Sequence, residues 1–350
     1  MSQWLMWIFM NREEVCSMSS YIYQSSFAPY FEDFEKAKAT VGFDTLQFRK
    51  FFKELDVFVI QYGFIEITRE LVSKWRDTRV NDSNRTLYSK YCVLGQFAKY
   101  LNHRGIKAYV PMLPKQQFDS GSPYIFTHEQ IKNIFEVADS LRMPCSNKSN
   151  CLFSIPAILR VLYSTGMRIG EVLSLENRDV NLEQNRIIVR ITKNKQEKLI
   201  PINTSLHVVL SQYYKYKCHI ANANLNVQLP NAPFFCSLMG KPMVKVTVFT
   251  WFKRILMMCG IPHIGGGKGP HIHHLRHTFT VHSLQQQVKS GADIYCAMPI
   301  LSIFLGHKDL RGTERYVRLT HEMYPDVIAA QKTISEEIYP QPINYTNNED

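Results

Sequence analysis

The sequence predicts a mainly α-helical chain with one small β-sheet, in which an all-α unit precedes an α+β unit. Three observations predict this fold class. Apolar residues recur at helical spacing through the first hundred residues, two β-rich runs flank a basic turn further on, and a stretch rich in helix breakers separates these regions. The chain has 350 residues, 45% hydrophobic and 20% charged, which suits two or three domains and excludes fibrous, collagenous and wholly disordered classes.

The first unit is expected over residues 21–112, as helices alone. Residues 1–20 are interpreted as a loose leader. Their apolar run, Trp4–Met10, has seven residues and is too short for a membrane span or a convincing signal peptide. Helical spacing is clearest at Thr68–Arg79 and at Asn84–Asn102.

A linker is expected over residues 113–124, within a segment that holds three prolines, a glycine and few periodic apolar residues. The second unit then covers residues 125–340. Thr127 and Gln130 fit a capping box ahead of an apolar-periodic segment, so this unit is predicted to open with a helix.

Inside the second unit, the runs Ile187–Ile191 and Leu199–Ile202 flank T-K-N-K-Q-E-K. This pattern predicts a two-stranded hairpin with a basic turn. The rest of the unit is predicted to be mainly helical, and the polar residues 341–350 are expected to form a frayed tail.

The charge is concentrated. The whole chain carries a net +11, whereas residues 184–292 hold 14 lysines and arginines against a single acid, Glu197. Such a regional bias favours a polyanionic partner, above all nucleic acid, over a basic surface that serves solubility alone. Membrane-surface binding is disfavoured, because the charges do not form an amphipathic helix or a polybasic run.

Eight cysteines without a C-x-x-C pair give no sign of a disulfide framework or a zinc knuckle, which suits a reducing, cytoplasmic compartment.

Two basic features in the second unit have plain alternatives. Arg168 follows a glycine turn and precedes Glu171 by three residues, a spacing that equally suits an ordinary ion pair on a solvated helix. The hairpin turn carries Lys193, Lys195 and Lys198, which either form an exposed charged turn or bring an ammonium to a phosphate as a proton donor.

The segment G-P-H-I-H-H-L-R-H-T-F places His273, Arg276 and His277 on one face of a helix that Pro270 is suited to start. Near a helix N-terminus, this set predicts a phosphate site. A zinc site is less favoured, because H-E-x-x-H is absent and no acid or cysteine lies nearby in sequence. The glycines around Lys268 do not form a phosphate-binding P-loop, because glycine follows that lysine.

A fourth motif, L-G-H-K-D-L-R-G-T-E-R-Y, joins His307 to Tyr316 nine residues later. On one unbroken helix these residues would lie about 13 Å apart along the axis. A break at Gly312 with Thr313 capping a new helix is therefore expected to bring them together.

The four motifs, in this order, resemble the tyrosine recombinase, or phage integrase, family over residues 125–335. The resemblance implies a mainly α catalytic domain with a small β-sheet (α+β), preceded by an all-α, SAM-like core-binding domain. Pro299 lies in a segment that is an uninterrupted helix in many members of the family. This segment, followed by R-Y-V-R-L-T, looks most similar to integrases of transposons and other mobile elements in Gram-positive bacteria.

The resemblance also implies roles. The two arginines clamp the scissile phosphate, Glu171 steadies the first of them, and a hairpin lysine protonates the leaving oxygen. Lys193 matches that lysine, although either of the other two in the turn can take its place. The first histidine helps to move the phenol proton. The implied catalytic set is Arg168, Lys193, His273, Arg276, His307 and the nucleophile Tyr316, with Glu171 and His277 in support and Lys195, Lys198 and Lys268 on DNA.

The implied function is site-specific recombination through a 3′-phosphotyrosyl intermediate, for integration or excision of a mobile element. No metal and no cofactor are expected. The implied partner is double-stranded DNA, on which the protein acts as a homotetramer that holds two sites with a dimer on each. An accessory excision or directionality factor is also implied. The expected location is the bacterial cytoplasm, and the nucleoid when the protein is bound to DNA. Residues 327–338 are expected to form a tail helix that docks on a neighbouring protomer or on its own domain. A type IB topoisomerase and a DNA-binding regulator without catalysis are the alternatives.

Overall fold

The computed structural model describes most of the chain between Tyr21 and Gly306, together with two helical residues beyond it. The described ranges are 21–115, 123–142, 151–190, 197–220, 226–262 and 269–306, with Tyr316 and Leu319. The contacts between Cα atoms divide the chain into two units, Met1–Gly121 and Ser122–Asp350. That division falls inside the expected linker.

In its described part, the first unit is built from helices, as predicted. Thr68 and Ser83 each cap a helix, because their side-chain oxygens accept the backbone N–H of Leu71 and Thr86. The two helices that the sequence predicts most clearly lie within one or two residues of the expected bounds. The helices are α1 (Ala28–Thr40), α2 (Leu46–Tyr62), α3 (Arg69–Asp77) and α4 (Asn84–His103).

The core of the first unit is aromatic. Phe31 stacks on Phe52 with ring centroids 4.5 Å apart, and Phe97 approaches both rings at 5.0 Å. Trp75 is fully buried against Phe51. Buried aromatic pairs of this kind contribute about 0.5–1.5 kcal/mol each beyond their area, so α1, α2 and α4 are held as one body.

The second unit begins with the predicted capping box. Thr127 Oγ1 accepts the N–H of Gln130, and Gln130 Oε1 accepts the N–H of Thr127. The helices of this unit are α5 (His128–Ser140), α6 (Ile155–Thr165), α7 (Ile169–Leu173), α8 (Thr204–Ile220), α9 (Lys245–Met258), α10 (His273–Lys289) and α11 (Ile294–Leu305), with 3-10 turns at Leu152–Ser154 and Asn177–Asp179.

A three-stranded antiparallel sheet has the order β1 (Val180–Asn181), β2 (Arg186–Val189) and β3 (Lys198–Pro201). The predicted hairpin is confirmed: Val189 pairs with Lys198 and Ile187 with Ile200. Each strand begins one residue earlier than expected, and the sheet gains β1, which the sequence did not reveal because two residues carry no alternation. Ile187, Val189 and Ile200 face the core, which fixes the register.

Helix α6 forms the centre of the second unit. Most of its residues are buried, as expected for a helix that is apolar around nearly its whole circumference. It ends at Gly166, which adopts the left-handed conformation, and α10 packs against it. The α10 helix begins at His273, three residues after Pro270. The described helices include no segment long and apolar enough to cross a membrane.

Helix α11 is capped by Asp293, whose carboxylate accepts the N–H of Tyr295 and of Cys296. It continues through Pro299 as a helix and ends at Gly306 in the left-handed conformation. The ends of α6, α10 and α11 carry part of the candidate site described below.

Candidate active site

Arg168 is the N-cap residue of α7 and is held by Glu171 at two points. The Arg168 backbone N–H donates to Glu171 Oε2 at 2.9 Å, and Arg168 Nη1 donates to Glu171 Oε1 at 2.8 Å. Glu171 is buried, with 4% of its surface exposed, while the arginine keeps 29% of its side chain accessible. This is a charge-assisted pair that fixes the guanidinium and leaves part of it open to a ligand, and it differs from an ion pair on a solvated helix.

Arg276 is buried on α10, with 3% of its surface exposed. Its Nη1 donates to the carbonyl of Gly166 at 2.5 Å and its Nη2 to the carbonyl of Leu305 at 2.8 Å. These carbonyls lie at the C-terminal ends of α6 and α11, where a cation is stabilised by both helix dipoles. Burial, and then the charge of Arg168, lowers the pKa of Arg276 to about 10.

Gly166 allows this arrangement. Its φ of +59° is in the left-handed region, and a Cβ there would lie 2.5 Å from the Phe279 ring and 3.0 Å from Leu305. Only glycine fits this turn without displacing neighbours. The glycine that precedes Arg168 in sequence therefore has a packing role that supports the position of Arg276.

Lys198, at the start of β3, extends its ammonium into the same region. Among the described residues, no hydrogen-bond acceptor reaches its buried Nζ, which lies 5.2 Å from the centre of the Phe304 ring. Burial lowers the pKa of Lys198 to about 8. Glu171 opposes this change, and the nearby charges of Arg276 and Arg168 add to it. Three cations thus influence one another around Glu171.

His273, Arg276 and His277 lie together at the start of α10, as the helical spacing predicts. The His273 and His277 rings are 4.8 Å apart in a T-shaped arrangement. Desolvation and, after it, the charges of Arg276 and His271 together lower the pKa of His273 to about 4. The buried neighbour His274 accepts the backbone N–H of His271 at Nδ1, 2.9 Å away.

Tyr316 has helical backbone and 5% of its surface exposed. Its ring joins a cluster that includes Ile125, Val281 and Leu305. Its hydroxyl oxygen lies 2.5 Å from His277 Nδ1, and the two ring centroids are 5.5 Å apart. The negative charge of an ionised Tyr316 would favour protonated Arg276, which couples the phenol electrostatically to the buried arginine.

The structure thus brings together seven of the residues that the sequence singled out: Arg168, Glu171, Lys198, His273, Arg276, His277 and Tyr316. The contact between His277 and Tyr316 was not foreseen. The sequence also did not single out Lys245, whose Nζ lies next to Gly170 of α7, 3.3 Å from where a Cβ of that residue would be.

Several expectations fall outside the described residues: the leader 1–20, the tail helix 327–338, the frayed tail 341–350, and the site residues Lys193, Lys195, Lys268 and His307. The same holds for Thr313 and for the break that it was expected to cap. Within the described ranges, no group of three or more His, Cys, Asp or Glu side chains is arranged to hold a metal ion.

Comparison with known proteins decides the family. The model of the phage integrase family matches residues 125–323, more than half of the chain. The chain belongs to this family. Its members are tyrosine recombinases, enzymes that break and rejoin DNA strands, so the resemblance identified from the motifs is confirmed.

Curated relatives of this integrase-family chain include tyrosine recombinases of the Xer type. XerA of Pyrococcus horikoshii is 26% identical over 311 residues, which cover 88% of this chain and 93% of the relative. XerC of Bacillus subtilis is 28% identical over 247 residues, which cover 69% of this chain and 72% of the relative.

Solved structures confirm the fold class. The Tn1549 transposon integrase, in complex with transposon right end DNA, matches with a TM-score of 0.58 at 16% identity, covering 85% of this chain and 99% of that one. A lambda integrase tetramer bound to a Holliday junction matches with a TM-score of 0.58 at 15% identity, covering 82% and 76%. A helical catalytic domain with a small antiparallel sheet is the fold that they share with this chain.

Proposed function

We propose that this integrase-family chain is a site-specific DNA recombinase whose nucleophile is Tyr316 and whose phosphate clamp is formed by Arg168 and Arg276. One observation carries the proposal. The Arg168 and Arg276 guanidiniums, both fixed by protein acceptors, lie close enough to the buried Lys198 ammonium to shift its pKa, and Tyr316 lies close enough to Arg276 to interact with its charge. A cluster of like charges without a full set of counterions is the arrangement that a phosphodiester would neutralise.

The clamp suits phosphoryl transfer. Guanidiniums present planar forks that fit the nonbridging oxygens of a phosphate, and they keep their charge throughout the pH range of interest. Because Glu171 and two carbonyls already hold these groups in place, little reorganisation is needed when negative charge grows in the pentavalent transition state.

In the proposed reaction the Tyr316 oxygen attacks phosphorus, a P–O bond to tyrosine forms, and the bond to the 5′ oxygen breaks. The product is a 3′-phosphotyrosyl linkage and a free 5′ hydroxyl. The covalent link conserves the energy of the phosphodiester, so a 5′ hydroxyl can reverse the step and rejoin a strand without ATP.

The departing 5′ oxygen needs a proton, and a lysine of the hairpin is proposed to supply it. Lys193 is the candidate from the resemblance, with Lys195 and Lys198 as substitutes. Lys198 has support of its own, because a buried ammonium with a pKa near 8 is a better acid at neutral pH than an ordinary lysine. His307 is proposed to hydrogen-bond the phosphate and His273 to help relay the phenol proton, with Lys195 and Lys268 on the flanking backbone.

The proposed partner is double-stranded DNA, bound as a homotetramer on two sites with a dimer on each. The lambda integrase tetramer on a Holliday junction and the Tn1549 integrase on transposon DNA support this, since both share the fold. By the same analogy, the proposed role is integration and excision of a mobile element in the bacterial cytoplasm, with an accessory directionality factor and with the chain associated with the nucleoid when bound.

The test is covalent trapping. The wild type, Tyr316→Phe and the matched control Tyr295→Phe, an exposed tyrosine on α11, are incubated in EDTA with end-labelled DNA from the ends of the element that encodes the protein. Nicks beside the cleavage position prevent religation. A labelled species at the mass of protein plus DNA is expected with the wild type and Tyr295→Phe, and not with Tyr316→Phe.

Two other outcomes would overturn the proposal. Binding without any adduct, on intact and nicked DNA alike, would indicate a DNA-binding regulator. Relaxation of supercoiled plasmids of any sequence by a monomer, without strand exchange between two sites, would indicate a topoisomerase.

A further inference from the structure

Among the described residues, the histidine that contacts the Tyr316 hydroxyl is not the one that the resemblance pointed to. His277 Nδ1 lies 2.5 Å from that oxygen, and the two rings face each other at an interplanar angle of 37°. The contact spans 39 residues of sequence and forms where the phenol is almost wholly buried. His273 lies one turn earlier on α10, with its ring 4.8 Å from that of His277.

A phenol needs such a partner in order to attack. With a pKa near 10, an ordinary tyrosine is ionised to roughly one part in a thousand at pH 7. A positioned group that takes the proton as the new bond forms typically contributes about 10²–10⁴ in rate, and an imidazole is suited to this at neutral pH.

We propose that His277 is the general base for strand cleavage and accepts the Tyr316 proton at Nδ1. The inference rests on the proposed function, in which Tyr316 is the nucleophile. With the ring proton on Nε2, the lone pair of Nδ1 accepts the phenol hydrogen while the tyrosine oxygen bonds to phosphorus and the 5′ oxygen leaves with a proton from the hairpin lysine. On rejoining, the resulting imidazolium returns its proton to the departing tyrosine.

The surroundings favour His277 over the other histidines of α10. His273 has a pKa lowered to about 4 by desolvation and by Arg276, which makes it a weak base. His274 already accepts a backbone N–H at Nδ1. Within the described ranges, the titratable groups that contact the His277 ring include these two histidines and Tyr316, while Arg276 adds positive charge near the phenol.

A pair of variants separates proton transfer from positioning. In His277→Asn the amide oxygen can still accept a hydrogen bond from the phenol near the place of Nδ1, but it cannot take the proton. Single-turnover cleavage of the nicked DNA is expected to fall about 100-fold or more in this variant. The matched control is His219→Asn, an exposed histidine near the end of α8, which is expected to cleave at the wild-type rate.

The decisive measurement replaces Tyr316 with a fluorinated tyrosine, whose phenol is more acidic and needs less help to ionise. If His277 is the base, this replacement restores most of the cleavage rate in His277→Asn and changes the wild type far less. DNA affinity and thermal unfolding are measured for each protein, so that a folding defect is recognised separately.

The outcomes are distinct. Cleavage by His277→Asn at the wild-type rate, or a slow rate that fluorotyrosine does not restore while DNA binding is intact, would overturn the assignment and leave His277 as a positioning residue. In either case the wild type still forms its adduct. Absence of the adduct in the wild type would refute the proposed function itself.

Discussion

Replacing Lys198 by methionine should make the protein more stable and less active. The ammonium is buried beside Arg276 and Arg168, and no described residue accepts a hydrogen bond from it. Folding therefore has to remove a charge from water and place it near two others without full compensation. Methionine is similar in length and has no charge, so it fills the same space without that penalty.

The magnitude follows from the pKa. Burial lowers the pKa of Lys198 from 10.5 to about 8. This difference corresponds to a cost of about 3 kcal/mol in the free energy of unfolding when Lys198 is protonated, at about 1.4 kcal/mol for each pKa unit. Because the folded state binds fewer protons than the unfolded state between about pH 8 and 10.5, the cost is fully present below pH 8 and disappears as the pH rises through that window. At pH 9.5 about 1.5 kcal/mol of it remains.

Methionine also gives up the cation–π contact of Lys198 with Phe304, which is worth up to about 1 kcal/mol. The net gain in unfolding free energy is therefore expected to be about 2–3 kcal/mol at pH 7 and less than about 1.5 kcal/mol at pH 9.5. The measurement is guanidinium denaturation at both pH values, with hydrogen exchange used to assign the transition of the second unit. Lys241→Met, at an exposed lysine of the same unit, should change stability by no more than about 0.5 kcal/mol.

The reasoning fails if Lys198→Met is less stable than the wild type at pH 7. It also fails if its gain is the same at both pH values, since a gain from packing alone would not titrate. Cleavage of DNA by Lys198→Met at the wild-type rate would leave the stability argument intact and would remove Lys198 from the candidates for the proton donor.

Three further perturbations follow from the same geometry. Gly166→Ala places a methyl group 2.5 Å from Phe279 in a left-handed turn, so it should lower the unfolding free energy by about 2–3 kcal/mol, measured by thermal denaturation, and should slow DNA cleavage. Glu171→Gln removes the charge that fixes Arg168, so single-turnover cleavage should slow about ten-fold while folding is retained. Thr127→Ala removes a helix cap and should cost about 1 kcal/mol in denaturant titrations without changing the cleavage rate.

Each of these has a contrary result. A Gly166→Ala protein as stable as the wild type would mean that the Phe279 ring moves away from the new methyl group at little energetic cost. Cleavage by Glu171→Gln at the wild-type rate would mean that the carboxylate does not hold Arg168 in the reactive geometry. A slower Thr127→Ala enzyme of normal stability would link the start of α5 to the active site.

The parts of the structure that the sequence predicted are those set by short-range rules. The capping box at Thr127, the pairing of Arg168 with Glu171 and the shared face of His273 and His277 depend on spacings of three or four residues, which a helix converts directly into contacts. The β2–β3 hairpin was predicted for the same reason, because apolar alternation and a polar turn act locally.

The parts that it did not predict depend on packing between distant segments. Arg276 binds carbonyls 110 residues before it and 29 residues after it, and no local pattern encodes either partner. His273 and His277 lie on the same face of α10, so the position of Tyr316 relative to this helix decides which of them it contacts. The inward position of Lys198 likewise depends on where β3 begins, which brings its ammonium beside Phe304.

The two hydrogen bonds that Arg276 donates to the carbonyls of Gly166 and Leu305 affect which inactive variant is the best experimental tool. A substitution of Arg276 would remove its hydrogen bonds to the ends of α6 and α11 as well as its proposed contact with the phosphate. Loss of activity in such a protein would therefore not separate a chemical defect from misassembly. Tyr316→Phe keeps the ring that packs in the core and removes one oxygen. Trapping of uncleaved DNA complexes for imaging should therefore use the phenylalanine variant, whose architecture stays that of the active enzyme.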